Sequence, residues 1–204
     1  MNWENAFLWF TVFLVSVTTH EAAHALFAKL GGDLTAYRGG QVSMNPVPHI
    51  RREPFGMVVL PLLSLYLHGG NWCFGFASTP IDPVWAYHHP RKAALMSAAG
   101  PLSNFLIAAV AFAVLWIVGR PDSATTEAIR KIAGTFLLLN LLLGVFNLIP
   151  LPPLDGAGVV KGLGRPVRVV MDNLERIPYI AIAAFVVANA LIPIVFVPLY
   201  RLVH

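Results

Sequence analysis

Long stretches without charged side chains alternate with short polar segments along this chain. Four apolar stretches are long enough to cross a membrane as helices, and they cover residues 6–30, 93–118, 132–154 and 177–200. A bilayer core about 30 Å thick is crossed by about 20 apolar residues in an α-helix, so each stretch predicts a spanning helix. A fifth stretch, residues 55–81, is uncharged but interrupted by glycines, which predicts an irregular or re-entrant segment.

The polar connections between these stretches are too short to form a separate folded module. We therefore predict an all-α polytopic membrane protein with about five to six transmembrane or re-entrant segments, organised as one membrane domain over residues 1–204. Residues 35–47 are glycine-rich and loosely alternating, which predicts a short extended β-like segment. Residues 164–173 mix arginines with valines and indicate either an interfacial amphipathic helix or a basic loop at the membrane surface.

Composition agrees with this pattern and excludes two classes of protein. Hydrophobic residues make up 57% of the chain and charged residues only 12%, which is too few charges to cover a soluble domain of this size. The net charge of +4 is not concentrated in a basic tract with interleaved aromatics, so a nucleic-acid partner is not expected. The single cysteine, Cys73, excludes an internal disulfide.

Most basic side chains fall in the polar segments that join the predicted spans at one end. Cytoplasmic loops of membrane proteins carry an excess of lysine and arginine, so this end is predicted to face the cytoplasm. Three basic residues at the opposite end, between the spans at 93–118 and 132–154, oppose this orientation mildly. The residues at the predicted cytoplasmic end are Lys29, Arg38, Arg51, Arg52, Arg91, Lys92, Lys161, Arg165, Arg168 and Arg176.

The first predicted span carries ionisable side chains, which are costly inside a membrane and mark a functional site there. His20, Glu21 and His24 occur in the pattern HEAAH. On a helix, His20 and His24 lie on the same face about one turn apart. Two imidazoles so placed can bind one metal ion, with the adjacent carboxylate available to move a proton. The alternative is a polar helix end at the membrane interface.

A catalytic zinc ion takes three protein ligands and keeps one open position, so a third ligand is needed. Asp155 is the candidate, because it is the only acidic residue between Lys131 and Lys161 and it ends the segment NLIPLPPLDG. Prolines in that segment block continuation of the helix, so the chain there is expected to be extended or unwound. Taken alone, Asp155 is more typical of an ordinary Asp-Gly turn at the end of a span, and only its combination with HEAAH favours a ligand.

Four motifs, in this order, resemble those of the site-2 protease family of intramembrane zinc metalloproteases. The closest resemblance is to the small prokaryotic group without PDZ or CBS domains. HEAAH resembles the family's zinc-helix motif, and AAGPLSNF at residues 98–105 resembles its Ala-Gly-Pro-x-x-Asn motif. GGQVSMNPVPHI with PFGMVVLP resembles its Asn-Pro-containing segment, and NLIPLPPLDG resembles its Asp-Gly motif. GFASTPI and HIRREPF depart from the family pattern, which leaves substrate choice and the geometry near His49 open.

The resemblance implies the chemistry of particular residues. His20, His24 and Asp155 would bind one zinc ion per chain, and Glu21 would act as the general base. The resemblance also implies four residues that lie near the site and would support it or bind substrate. They are Asn45, His49, Asn104 and Asn147. For Asn104 and Asn147 the alternative is a hydrogen bond between helices, and for His49 it is an imidazole at the membrane interface. The β-like segment would lie near the active site and pair with an unwound substrate.

We therefore predict an intramembrane zinc endopeptidase that cleaves peptide bonds within or near transmembrane segments of membrane proteins. The expected partners are a transmembrane protein substrate and the lipid bilayer. A membrane peptidase that clears signal-peptide remnants would use the same chemistry. Two alternatives belong to other functional classes. A metal or ion transporter is not supported by any inverted repeat in the sequence. A catalytically inactive scaffold is disfavoured because all the candidate catalytic and ligand residues are present. The sequence leaves the substrate and the oligomeric state open.

Overall fold

The structure is a computed structural model that describes residues 1–180 and, beyond them, residues 182–184, 186, 187 and 190. Within this part of the chain every regular element is helical. The α-helices are, in chain order, α1 (Trp3–Gly31), α2 (Thr35–Arg38), α3 (Pro46–Arg52), α4 (Leu60–Leu67), α5 (Pro83–His88), α6 (Pro90–Val118), α7 (Ala124–Asn147), α8 (Asp155–Lys161) and α9 (Arg165–Glu175). One π-helical turn, Phe55–Val59, leads directly into α4.

Three of these helices, α1, α6 and α7, are long and apolar enough to cross a membrane. They correspond to the predicted spans at residues 6–30, 93–118 and 132–154, and they make this a multi-pass membrane protein. The third helix ends at Asn147, short of the predicted boundary, because the proline-rich residues that follow it form turns. Of the 24 residues in the span predicted for residues 177–200, 14 lie outside the described residues.

The three long helices pack side by side, with α6 between α1 and α7. Their inner faces carry small residues such as Ala108 and Ala111, which allow close approach of the helices. Their outer faces are apolar but exposed, as at Trp116 and Ile117, which are 79% and 81% exposed. Exposed apolar faces of this extent suit contact with lipid.

The end of α1 lies beside the start of α6. The backbone carbonyl of Gly31 accepts hydrogen bonds from the indole of Trp85 at 3.2 Å and from the ammonium group of Lys92 at 3.1 Å. Because α7 returns from the far end of α6, it runs toward this same end, and α8 continues in that direction until Gly162 lies beside Pro90 and Ala94 of α6. We call this end of the bundle, where α1 ends and α6 begins, the site end.

The prediction of an extended β-like segment over residues 35–47 is not confirmed. The segment begins with the single helical turn α2 and ends inside α3. Asn45 caps α3 by accepting a hydrogen bond from the backbone N–H of Val47 at 3.0 Å, and Pro46 occupies the first helical position. An Asn-Pro pair therefore starts a helix here, because proline suits the first turn and the asparagine side chain satisfies a free N–H group.

The glycine-interrupted stretch at residues 55–81 divides into two parts, as its composition predicts. A helical part runs from Phe55 to Leu67, and residues 72–82 have no regular structure. The second part is bound back to the first by hydrogen bonds from the backbone N–H of Phe74 to Ser64 Oγ at 2.9 Å and from that of Phe76 to the carbonyl of Gly56 at 3.0 Å. The irregular part is thus held against the helical part through its backbone N–H groups.

Of the two alternatives for residues 164–173, the structure favours the helix, since α9 begins at Arg165 with Gly164 as its N-cap residue. At helical spacing Arg165 and Arg168 lie on one side, and Val167 and Val170 lie on the other. Lys161, the last residue of α8, forms ion pairs with Asp172 at 2.9 Å and Glu175 at 2.6 Å of α9. These contacts fix α9 against the short helix that begins with Asp155.

Asp33 connects the end of α1 to the loop before α5. It is 3% exposed, and its carboxylate accepts backbone N–H groups of Thr35 and Asp82, both at 2.8 Å. Burial by itself raises the pKa of Asp33, but the hydrogen bonds from Thr35 and Asp82 and the charge of Arg38 bring it below the ordinary value of 3.8. Asp33 is thus a buried hydrogen-bond acceptor, although its position in a polar loop is typical of a solvated side chain.

Replacement of Asp33 by Ala is expected to destabilise the protein by about 1–3 kcal/mol, because two backbone donors lose their acceptor. Because the pKa of Asp33 is lowered in the folded state, its ionised form contributes stability above pH 3.8 that is lost as the pH falls through the folded value. Thermal unfolding in detergent, followed by tryptophan fluorescence from neutral to acidic pH, measures both effects. The exposed Glu127→Gln variant is the control, and a loss of stability there as large as in Asp33→Ala would contradict this assignment.

Candidate functional site

HEAAH lies in the second half of α1 and faces the interior of the bundle. His20, Glu21 and His24 are 6%, 4% and 4% exposed. The Nε2 atoms of His20 and His24 are 3.0 Å apart, as expected for residues one turn apart on a helix. The Nδ1 atom of His24 lies 2.7 Å from the backbone carbonyl of Met96, which can only accept, so His24 Nδ1 carries the proton. The Nε2 lone pair of the neutral ring then points into the bundle.

Asp155 completes the cluster from the first position of α8. Its Oδ2 atom lies 3.0 Å from His20 Nε2 and 3.2 Å from His24 Nε2. The close approach of α8 to α6 depends on Gly158, since a Cβ atom there would be 2.8 Å from the Cβ of Ser97. Small residues on α8 thus allow Asp155 to reach the two histidines.

The three side chains are suited to binding a metal ion. Their ligand atoms, two imidazole nitrogens and one carboxylate oxygen, all lie within 4.8 Å of one another. Ligand atoms around a tetrahedral zinc ion with bonds of about 2.1 Å lie roughly 3.4 Å apart, close to the separations found here. Neutral imidazoles with protonated Nδ1 atoms place two lone pairs next to a carboxylate, and a cation satisfies all three.

Gly100 of α6 packs directly against the two imidazoles. A Cβ atom at this position would lie 2.5 Å from His20 Nε2 and 2.6 Å from His24 Cε1, and would also clash with His24 Nε2. Real Cβ atoms do not approach other atoms this closely, so the site requires glycine at this position. The backbone of α6 thus forms one wall of the site that His20, His24 and Asp155 form.

Glu21 is held beside the cluster by a hydroxyl group. Thr79 Oγ1 lies 2.7 Å from Glu21 Oε2 and 3.0 Å from the backbone carbonyl of Glu21. The single hydroxyl proton can donate to one of these acceptors at a time. The contact joins the irregular segment at residues 72–82 to the helix that carries HEAAH, and it leaves Glu21 Oε1 available.

A cavity of about 860 Å³ opens beside the cluster. His20, Glu21, His24 and Asp155 lie on one side of it. Its other walls are mainly apolar and come from α4, from the irregular segment and from the end of α7. The wall residues include Leu60, Leu63, Leu67, Phe74, Phe76, Leu139, Leu142, Leu143 and Phe146. A cavity with apolar walls and one polar end can take an apolar chain and present part of it to the polar groups.

The structure places the other predicted site residues in different surroundings. Asn147 lines the cavity, and its Nδ2 donates to the carbonyl of Leu143 at 3.0 Å. Asn104 is completely buried, and its Oδ1 lies 2.5 Å from His20 Nδ1. Asn45 caps α3, and His49 is 1% exposed with its Nε2 at 3.0 Å from the carbonyl of Ser43. Among the described residues that line the cavity, neither Asn45 nor His49 occurs.

Two residues at the site, Gly100 and Thr79, were not predicted from the sequence. Gly100 lies in the same motif as Asn104, four residues away on a helix, and this spacing could have placed it at the site. Nothing in the sequence indicates the contact of Thr79 with Glu21, because the two residues are 58 positions apart.

Comparison with known proteins identifies related sequences. The model of peptidase family M50 matches residues 8–136 and 117–189 of this chain. A Bacillus subtilis (strain 168) protein named "Putative zinc metalloprotease YwhC" is 34% identical over 174 residues, which cover 82% of this chain and 74% of that protein.

Two mycobacterial proteins, both named "Putative zinc metalloprotease Rip2", are also similar. The protein from Mycolicibacterium smegmatis is 28% identical over 148 residues, and the one from Mycobacterium tuberculosis (strain H37Rv) is 31% identical over 153 residues. These matches cover 72% and 75% of this chain but only 54% and 56% of the two proteins. The chain thus spans about half the length of these relatives. No solved structure matches it significantly.

Proposed function

Because this chain belongs to peptidase family M50, we propose that it is an intramembrane zinc endopeptidase. Its substrates are peptide bonds within or near the transmembrane segments of other membrane proteins. His20, His24 and Asp155 hold one zinc ion in this proposal, and Glu21 is the general base. Family membership favours a protease over the ion transporter and the inactive scaffold.

The observation that carries the proposal is the position of the three candidate metal ligands within an apolar helix bundle. His20 precedes the end of α1 by 31 − 20 = 11 residues, which corresponds to about 16 Å along the helix axis. This depth is roughly half of a bilayer core about 30 Å thick. A peptidase site so placed, beside a cavity with apolar walls, suits a substrate that resides in the membrane.

The chemistry follows from the groups around the cluster. A zinc ion bound there supplies a Lewis acid that activates water and polarises a peptide carbonyl. Glu21 Oε1 accepts the proton of the attacking water and later transfers it to the leaving nitrogen. The Thr79 hydroxyl donates to the other carboxylate oxygen, Oε2, and restricts the rotation of the carboxylate. The buried position of Glu21 keeps bulk water away from this exchange.

A helical substrate must be unwound before its peptide bond can react, because a helix uses its own carbonyl groups for hydrogen bonds. The irregular segment at residues 72–82 lines the cavity and is the part of this chain best placed to run beside an unwound substrate. It takes the role that the sequence suggested for residues 35–47. Asn147, whose Nδ2 is bonded to Leu143, offers its Oδ1 to a substrate N–H group.

In this proposal the site end of the bundle faces the cytoplasmic side of a prokaryotic plasma membrane. Ten basic residues fall in the segments at this end, against three in the connection between α6 and α7. Labelling of single cysteines in a Cys73→Ser background by an impermeant thiol reagent measures the orientation in intact cells. A cysteine introduced at Ser123 is expected to react, and one introduced at Arg165 is not; the reverse result would invert the orientation.

Loss of the Thr79 hydroxyl is expected to slow hydrolysis without removing the metal. Thr79→Val keeps the shape of the side chain but removes a hydrogen bond of 2.7 Å to a carboxylate. Such a bond contributes about 1.5 kcal/mol or more, so kcat should fall at least about tenfold. The zinc content of the purified variant should equal that of the wild type.

Thr135→Val is the matched control for this variant, since the Thr135 hydroxyl donates to the backbone carbonyl of Lys131 at 2.8 Å and Thr135 does not line the cavity. Its kcat is expected to stay within about twofold of the wild type. Equal rates for Thr79→Val and the wild type would show that this contact does not orient Glu21.

A cleavage assay tests the proposed function. The purified chain is reconstituted in liposomes with a panel of tagged single-span proteins and signal peptides, and fragments are detected by immunoblotting. We expect a fragment that disappears with a zinc chelator and returns when zinc is added. A fragment from signal peptides alone would favour the remnant-clearing peptidase, and a fragment that is insensitive to the chelator would contradict the proposal.

A further inference from the structure

A chain of buried polar side chains runs from His20 away from the cavity into the helix core. His20 Nδ1 lies 2.5 Å from Asn104 Oδ1, and Asn104 Nδ2 donates to Asn140 Oδ1 at 2.8 Å. Asn140 Nδ2 in turn donates to Ser16 Oγ at 2.8 Å. Asn104, Asn140 and Ser16 are all 0% exposed. These residues, which we call the amide relay, connect α6, α7 and α1.

The backbone carbonyl of Phe136 fixes the direction of the amide relay. It lies 2.8 Å from the side-chain nitrogen of Asn140. A carbonyl oxygen only accepts hydrogen bonds, so the Asn140 atom that faces it must be Nδ2. Oδ1 of Asn140 must then face Asn104, and Asn104 must present Nδ2 to Asn140. The orientation of both amides is thus decided by a backbone group that cannot rotate.

The orientation of Asn104 decides which nitrogen of the His20 imidazole carries the proton. Asn104 is left with its Oδ1 facing His20 Nδ1, and an amide oxygen only accepts. His20 Nδ1 must therefore carry a proton, and in the neutral ring Nε2 keeps its lone pair. Nε2 is the atom that faces His24 and Asp155.

We propose that Asn140 is a positioning residue that acts through Asn104 to hold His20 in the metal-binding tautomer. This inference rests on the proposed function in that it takes His20 as a zinc ligand. Asn140 contacts neither the ligand atoms nor the cavity, so it acts only through the amide relay. Without Asn140, the amide of Asn104 is free to rotate by half a turn and offer Nδ2 to His20 Nδ1. That arrangement stabilises the tautomer with a proton on Nε2, which cannot bind a metal ion.

The Nδ1–H groups of both histidines are fixed by a backbone carbonyl, in one case directly and in the other through intervening side chains. His24 Nδ1 donates directly to the carbonyl of Met96, whereas His20 reaches the carbonyl of Phe136 through two asparagine amides. Groups bonded to the second nitrogen of a metal-binding histidine set its tautomer and orientation, and their loss lowers metal affinity by about 10–100-fold. Asparagine side chains in the apolar core of a helix bundle are costly, and this role accounts for two of them.

The first part of the test measures Co²⁺ affinity of the purified full-length chain in detergent, by visible absorption in competition with a chelator. Asn140→Leu is expected to bind Co²⁺ about tenfold more weakly than the wild type. Ser16→Ala should stay within about threefold, because the carbonyl of Phe136 still fixes Asn140. Thr135→Val is the matched control on α7: it also removes a buried hydroxyl, one that donates to the carbonyl of Lys131, and it should leave the affinity unchanged.

The second part separates positioning from a general loss of packing. A carboxylate has two accepting oxygens, so an Asn104→Asp side chain accepts the Nδ1 proton of His20 in either orientation. In the Asn104→Asp background, Asn140→Leu is therefore expected to change the Co²⁺ dissociation constant by less than about threefold. A purely structural role of Asn140 would cost the same in both backgrounds. If Asn140→Leu does not fold, Asn140→Ala replaces it in both.

The outcomes distinguish the inference from the proposed function. Wild-type affinity in Asn140→Leu, or an equal loss in both backgrounds, overturns the amide relay and leaves the metal site untouched. A wild-type protein that fails to bind Co²⁺, or a His24→Ala variant that keeps the wild-type Co²⁺ spectrum, overturns the proposed metal site and the relay together. A tenfold loss that disappears in the Asn104→Asp background supports the relay.

Discussion

Glu21→Gln is expected to lower the rate of peptide hydrolysis by about 1000-fold while the protein still binds one zinc ion. Glutamine has almost the same shape as glutamate and can still accept the hydrogen bond from Thr79, but it cannot take a proton from water. Glu21 lies next to the three candidate metal ligands and is not one of them. The measurement compares fragment formation in liposomes with the zinc content of the same purified preparation.

His24→Ala is the counterpart of this variant, because it removes one of the three ligand atoms and should lose both zinc and activity. The two variants together separate the proton acceptor from the metal ligands. Loss of zinc in Glu21→Gln would make Glu21 a metal ligand and not a base. Hydrolysis at the wild-type rate in Glu21→Gln would remove it from the mechanism.

Gly100→Ala is expected to lower metal affinity by at least about 100-fold, the upper end of what disturbing the partners of a ligand causes. The added methyl group would lie 2.5 Å from His20 Nε2, so the imidazoles must move away from Asp155 or α6 must shift. Either movement separates the ligand atoms. Titration with Co²⁺ in competition with a chelator measures the affinity directly.

Gly144→Ala on α7 is a control of similar steric severity at a distance from the cluster. Its Cβ would lie 2.8 Å from the ring of Phe105, so overpacking should destabilise the protein by about 1–3 kcal/mol. Its metal affinity should remain that of the wild type. Equal losses of affinity in the two glycine variants would mean that helix packing in general, and not contact with the imidazoles, explains the effect of Gly100→Ala.

The long helices and the candidate ligands were predictable because their signals are local. Apolar stretches of spanning length define α1, α6 and α7, and the spacing of four residues in HEAAH brings His20 and His24 together within a single helix. Asp155 required an argument from several motifs, since it is 135 positions from His20. The structure brings all three ligand atoms together.

Other features depend on contacts between distant parts of the chain and have little local signal. The glycines in residues 35–47 resemble those of an extended segment, yet Asn45 and Pro46 start a helix. Asp33 has the appearance of a solvated loop residue, and only the position of Asp82 shows that it is a buried acceptor. Asn140 sits in an uncharged stretch, and its partners come from three helices.

The position of the cut in a substrate tests the central proposal most directly. The wild-type chain is reconstituted in liposomes with a single-span substrate, and the ends of both fragments are determined by mass spectrometry. The proposed function predicts a new end within or next to the transmembrane segment, absent with Glu21→Gln. New ends only in soluble loops far from the membrane, or the same ends with Glu21→Gln, would contradict it.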